Sequence, residues 1–200
     1  MSEKAGALDT LIERMVADYL AQNGAARILK VALDDTGAGF WPVMDHLTIR
    51  TFDIDRRAQE WVDLGYVYSE TLNFEDWYAK VYRLQGYPAL FIDQAYLDER
   101  GRTSLIPAWV EAFGDNTFHH IAVRVEDIEV AIRQLQARGV AFAGTIIGDP
   151  GSDLRQIFSV AETKDGKAFS VLELTERHRG YQGFSPPQAD VLMKSSAPAG

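Results

Sequence analysis

The stretch DHLTIRTFDIDRRAQEWVDLGY, Asp45–Tyr66, and the stretch HHIAVRVEDIEVAIRQLQARGV, His119–Val140, run through the same order of residues at a constant offset of 74. His46 falls on His120, Arg50 on Arg124, Asp53 on Asp127, Ile54 on Ile128 and Gly65 on Gly139. Identities spread through both stretches without a gap point to an internal duplication. Each copy reads as a short β-rich strand, an acidic helix start at Asp53 or Asp127, a helix of about three turns, and a glycine that ends it.

Outward from these stretches, strand patterns continue in both halves. In the first half they cover roughly residues 66–72, 77–84 and 88–95; in the second, 141–147, 155–162 and 168–176. The predicted unit is βαβββ, occurring twice, as modules over residues 41–97 and 117–177. Residues 98–116 form a connector in which Pro107 and Gly114 mark irregular structure. Before the modules, Leu8, Leu11, Ile12, Met15, Val16 and Leu20 recur at three- and four-residue steps. That is the stripe of an amphipathic helix, and with a second short helix over 25–33 it makes an N-terminal helical arm and linker of residues 1–40. Residues 178–200 form a C-terminal tail or lid. The fold class is α+β: two βαβββ modules that pair because one curved sheet alone leaves its face uncovered.

Composition narrows the chemistry. The 200 residues are 46% hydrophobic and 24% charged, the balance of a globular chain. With no cysteine there is no disulfide, no thiolate metal site and no thiol nucleophile. The net charge of −9 argues against nucleic acid as a partner. No continuous apolar stretch suggests a signal peptide or a membrane span, so a cytoplasmic location is expected.

Four histidines occur, His46, His119, His120 and His178. Strand residues two apart share a face, which puts His46, Thr48 and Arg50 together, and His120, Ala122 and Arg124 together. The two histidines therefore stand at equivalent positions of the two modules, and pairing of the modules turns both toward one cleft. Two imidazoles and one carboxylate hold iron, zinc, copper or nickel while leaving positions open for substrate. The late strand AFSVLELTERH offers Glu173 between Leu172 and Leu174, where a solvating charge is out of pattern and a buried lone carboxylate is costly. Glu173 reads equally as a charge that protects an edge strand. His119 faces the other way and reads as structural, and His178 as solvated.

These residues carry a resemblance. The stretches MDHLTIRTF (Met44–Phe52), HHIAVRVEDIE (His119–Glu129), TIIGDPGSDLRQIFS (Thr145–Ser159) and FSVLELTER (Phe169–Arg177) resemble the vicinal oxygen chelate superfamily. Within it they are most similar to the iron-dependent 2-oxoadipate dioxygenase/decarboxylase, or hydroxyglutarate synthase, family. The tail LELTERHRGYQGFSPPQADVL also resembles the end of 4-hydroxyphenylpyruvate dioxygenase, where a closing helix follows a Gly-Phe turn. The likeness covers nearly the whole chain after residue 40. It implies Fe(II) held by His46, His120 and Glu173, and a 2-oxo acid bound by an arginine four residues after the first histidine, which is Arg50. Four strand residues set Arg50 roughly 13 Å along the wall from His46, within reach of a carboxylate. A structural ion pair with an acid such as Asp53 is the other reading of Arg50, and Arg124 is a second candidate. Gln156 matches a glutamine near the substrate of the hydroxyphenylpyruvate enzymes, and reads equally as a plain strand residue. This chain is shorter than those families between Gly148 and Leu154, which bears on pocket size.

The expected function is a non-haem Fe(II)-dependent dioxygenase that takes a 2-oxo acid and O2, with oxidative decarboxylation and hydroxylation of the same substrate. An extradiol-type dioxygenase, or a lyase or isomerase using Zn, Ni or Mn, fits the same fold. So does a non-catalytic small-molecule-binding protein. A homodimer is compatible with the exposed sheet edges of such folds, though no residue argues for it.

Overall fold

The computed structural model describes residues 3–195. In chain order the elements are α1 Glu3–Gln22, α2 Gly24–Asp34, β1 Met44–Arg50, α3 Ile54–Asp63, β2 Val67–Asn73, β3 Trp77–Arg83, β4 Ala89–Ala95, α4 Ile106–Phe113, β5 Phe118–Val125, α5 Ile128–Gln136, β6 Phe142–Ile147, β7 Leu154–Ser159, β8 Glu162–Lys164, β9 Lys167–Arg177 and α6 Pro186–Ser195. The chain is α+β and falls into two compact units. The first contains the chain up to Tyr19 together with His46–His119; the second contains Leu20–Asp45 and the chain from His120 onward. The expected tail runs to residue 200, and its last five residues lie outside the described ones.

In the first unit the strands lie in the order β2-β3-β4-β1. β1 runs parallel to β4, and β3 is antiparallel to both β2 and β4. Alternation decides what each face does. Leu47, Ile49, Leu90 and Ile92 are fully buried on one face, as are Ile54 and Trp61 of α3. His46, Thr48 and Arg50 stand on the other. α3 starts where the sequence places it: extended Asp53 accepts a hydrogen bond from Arg56 N at 3.1 Å, and Gln94 Oε1 accepts one from Ile54 N at 2.8 Å.

The second unit repeats this plan. Its strands lie in the order β5-β9-β7-β6, with β5 parallel to β9 and β7 antiparallel to it. Asp127 accepts from Val130 N at 2.8 Å, and Glu176 Oε2 accepts from Ile128 N at 2.7 Å. Gln94 and Glu176, both near the ends of their units' last strands, thus do the same work on helices whose first residues are 74 apart. The duplication extends beyond the identities visible in the sequence.

Two expectations are corrected. The connector is not irregular throughout. Residues 106–113 form α4, because Pro107 sits in its first turn, where the missing N–H costs nothing, and Gly114 ends it at φ 76°. The second unit also has one strand more than βαβββ. The strand expected over 155–162 stops at Ser159, and a separate β8 pairs with the start of β9 through Asp165-Gly166, at φ 51° and 74°. Asp-Gly is the preferred sequence of a two-residue hairpin turn that needs positive φ at both positions.

The N-terminal segment of the second unit is tied down by polar bonds. Asn23 is fully buried; its Oδ1 accepts from Ala26 N at 2.8 Å, capping α2, and its Nδ2 donates to Ser170 Oγ at 3.0 Å. Gly24 N donates to Glu162 Oε1 at 2.8 Å.

Candidate metal centre

In the second unit, register fixes which side chains share the face of His120. His120 pairs with Val171, Ala122 with Glu173, Gln156 with Thr175 and Phe158 with Glu173. Glu173 is 1% exposed. Its strand lies between β5 and β7, which removes the edge-strand reading: this carboxylate protects no edge. Gln156 Nε2 donates to Glu173 Oε1 at 2.6 Å and Thr175 Oγ1 donates to the same oxygen at 2.7 Å. Oε2 stands 3.3 Å from His120 Nε2. One carboxylate oxygen is anchored by two protein donors, and the other is directed at the imidazole. The Phe158 ring packs 5.1 Å from that of His120, and Phe158, Val171 and Leu192 of α6 form one buried cluster.

In the first unit, His46 is 3% exposed and its ring lies 4.9 Å from that of Phe91. Thr48 pairs with Phe91 as Ala122 pairs with Glu173. Phe91 therefore occupies the repeat position of Glu173. The first unit offers one candidate ligand where the second offers two. His46, His120 and Glu173 are each buried, and each offers one atom of a kind that binds metal ions. Two neutral nitrogens and one carboxylate oxygen suit a divalent transition metal and leave coordination positions open, so the residues present fit such an ion.

Arg50 is 2% exposed and is the register partner of Asp93 on β4; its guanidinium lies 5.5 Å from the ring of Trp109 on α4. The acid beside it is thus Asp93 and not Asp53, whose side chain caps α3. Burial brings the Arg50 pKa down to about 10, opposed by Asp93, and pushes the Asp93 carboxyl up to about 7, opposed by Arg50 and His46. Arg124, its repeat partner, is exposed. Sequence reasoning missed Asp93, Trp109 and Thr175. Asp93 and Trp109 gave no signal, because each lies more than forty residues along the chain from Arg50.

His119 is 3% exposed and packs edge-on to Trp109 at 5.7 Å, a structural role as expected. His178 is not simply solvated: its Nε2 lies 2.5 Å from Glu176 Oε1, and its side chain is 35% exposed. Glu176 is in turn bonded to Arg155, which also grips Glu129 at 2.5 and 2.9 Å. That network fastens α5 to β7 and β9, on the face away from His120.

Residues 45–158 match the family model for the glyoxalase/bleomycin resistance protein/dioxygenase superfamily, and the chain belongs to that superfamily. Among solved structures it is similar to hydroxyglutarate synthase from Oryza sativa, a structure in complex with 2-oxoadipate. The identity is 19% and the TM-score 0.81, with 99% of this chain and 95% of that one covered. It is similar to a mutant 4-hydroxymandelate synthase from Streptomyces coelicolor, at 20% identity and TM-score 0.64, covering 78% of this chain and 55% of that one. It is also similar to methylmalonyl-CoA epimerase from Mycobacterium tuberculosis, at 20% identity and TM-score 0.51, covering 68% and 89%. At these identities the likeness establishes the fold. No curated protein matches the sequence. No helix among the described residues is long and apolar enough to cross a membrane.

Proposed function

We propose that the protein is a non-haem Fe(II)-dependent dioxygenase that acts on a 2-oxo acid, with His46, His120 and Glu173 as the metal ligands. The observation that carries this reading is Glu173: a buried carboxylate with one oxygen bonded to Gln156 and Thr175 and the other 3.3 Å from His120 Nε2. A charge so placed is costly unless it is paired or bound to metal, and a ligand carboxylate is oriented by this kind of hydrogen bonding. The family likeness supports the same assignment.

The metal, when bound, supplies Lewis acidity toward the 2-oxo carboxylate and the redox chemistry with O2. The chain's own residues bind and orient. Arg50, stacked near Trp109 and flanked by Asp93, offers a guanidinium fork to an anionic group of the substrate. Gln156 and Thr175 hold Glu173 in one rotamer. Phe91 and Phe158 give the two histidines apolar neighbours, and α6, through Leu192 on Phe158, helps keep water out. The substrate is small, 2-oxoadipate or an aromatic 2-oxo acid.

The test is anaerobic loading with Fe(II), followed by oxygen uptake and CO2 release with 2-oxoadipate and with phenylpyruvate. Stoichiometric release of CO2 with oxygen consumed is expected. No oxygen uptake with either acid, or turnover of a substrate without oxygen in the presence of Ni, Mn or Zn, would replace this reading with a lyase or isomerase.

A further inference from the structure

The face of the first unit that carries His46 holds a second polar group further along the sheet. Arg50 and Asp93 are register partners on β1 and β4, and Asp93 is also the partner of Ala79 on β3. Trp77, two residues before Ala79, leaves the sheet on the same side. Asp93 is 2% exposed and Trp77 4%. Asp93 Oδ1 and Trp77 Nε1 are both buried, and neither has a hydrogen-bond partner among the described residues. Native proteins leave few such atoms, because each gives up its hydrogen bonds to water and gains none in return. These two are of opposite kind, one an acceptor and one a donor. They belong to diagonal neighbours on adjacent strands, about 7–8 Å apart at the backbone. Phe74 stacks on the Trp77 ring at 3.8 Å and holds it in place.

We propose that Asp93, Trp77 and Arg50 form a polar subsite that reads a ligand end group carrying both a hydrogen-bond donor and an acceptor, such as a hydroxyl or a carboxamide. Such a group donates to Asp93 Oδ1 and accepts from Trp77 Nε1, with Arg50 as a further donor beside it. A methyl end answers none of them. The inference deepens the 2-oxo acid reading and rests on it for the direction of the ligand: with the 2-oxo head at His46, the subsite lies about 13 Å further along β1.

The experiment titrates the metal-loaded protein, without oxygen, with 2-oxo acids of six-carbon chain ending in hydroxyl, carboxamide or methyl, read by calorimetry. The hydroxyl and carboxamide ends are expected to bind at least tenfold tighter than the methyl end. Trp77→Phe, which keeps an aromatic ring and loses the N–H, should cut that preference to under threefold. The indole N–H resonance of Trp77, assigned in the parent protein through its contact with the Phe74 ring, should shift with the hydroxyl-ended acid and not with the methyl-ended one; this readout stands even if Trp77→Phe folds poorly. Equal affinities for the three acids, an unmoved resonance, or binding of none of them overturns the subsite. End-group preference that persists after chelation of the metal upholds the subsite and sinks the metal-bound head. Metal-dependent binding with no preference does the reverse.

Discussion

Gln156 Nε2 donates a 2.6 Å hydrogen bond to Glu173 Oε1, across the antiparallel pair formed by β7 and β9. The glutamine acts on the carboxylate directly, so its first role is to hold the proposed ligand in place. Gln156→Leu removes that donor and leaves the Thr175 hydroxyl on the oxygen. Metal affinity is expected to fall roughly 10- to 100-fold, the usual cost of losing an outer partner of a ligand, with the circular dichroism unchanged. Chelator competition measures it, and an unchanged affinity would show that Thr175 suffices.

The adjacent histidines His119 and His120 should behave in opposite ways. His120→Ala is expected to leave the protein without stoichiometric metal after dialysis, because it removes one of the three proposed ligands. His119→Asn should keep its metal and lose stability instead, since His119 packs on Trp109. Elemental analysis beside a thermal melt separates the two. Equal metal loss in both variants would sink the strand-face assignment.

Asn23 links the helical segment to β9 through Ser170 while capping α2. Asn23→Ala loses the cap and leaves a buried hydroxyl without its donor, at a cost of about 1–3 kcal/mol. The urea midpoint should drop with the m-value unchanged. A midpoint within error of the parent would mean that the arm is held by apolar contacts alone.

Glu129 is held low, to about 2, chiefly by its hydrogen bonds to Arg155. A depressed carboxyl stabilises the fold fully above its unfolded value, near 4.3, and that stabilisation is lost as pH falls toward 2. The parent should therefore exceed Glu129→Gln in stability at pH 7, and the gap should narrow through pH 4 and 3. Urea unfolding at those values checks the sign. Because Glu129 is open to solvent, the gap is small; a gap that widened on acidification would contradict the pairing.

Much of this arrangement is legible in the sequence, where it depends on neighbours along the chain. Alternation in HLTIR and HIAVR put His46 with Arg50 and His120 with Arg124, and Asp53 and Asp127 marked two helix starts that carry their caps. The Asp165-Gly166 hairpin is equally local and falls in the gap between the strands expected over 155–162 and 168–176; the break after Ser159 carries no such signal. The helix within the connector departs from the irregular structure that Pro107 suggests, because in a first turn proline is compatible with a helix.

What the sequence alone determined is the repeat: the periods of strand and helix and the spacing of 74, which set His46 and His120 at matching positions. Backbone geometry imposes those periods on any such pattern, so they need no knowledge of partners. Tertiary structure decided which polar groups meet. Gln156 and Thr175 converge on Glu173, Asp93 and Trp109 flank Arg50, and Phe91 stands in the first unit where Glu173 stands in the second. Those meetings depend on strand order and register, which bring together residues far apart in the chain; local propensity carries no record of them.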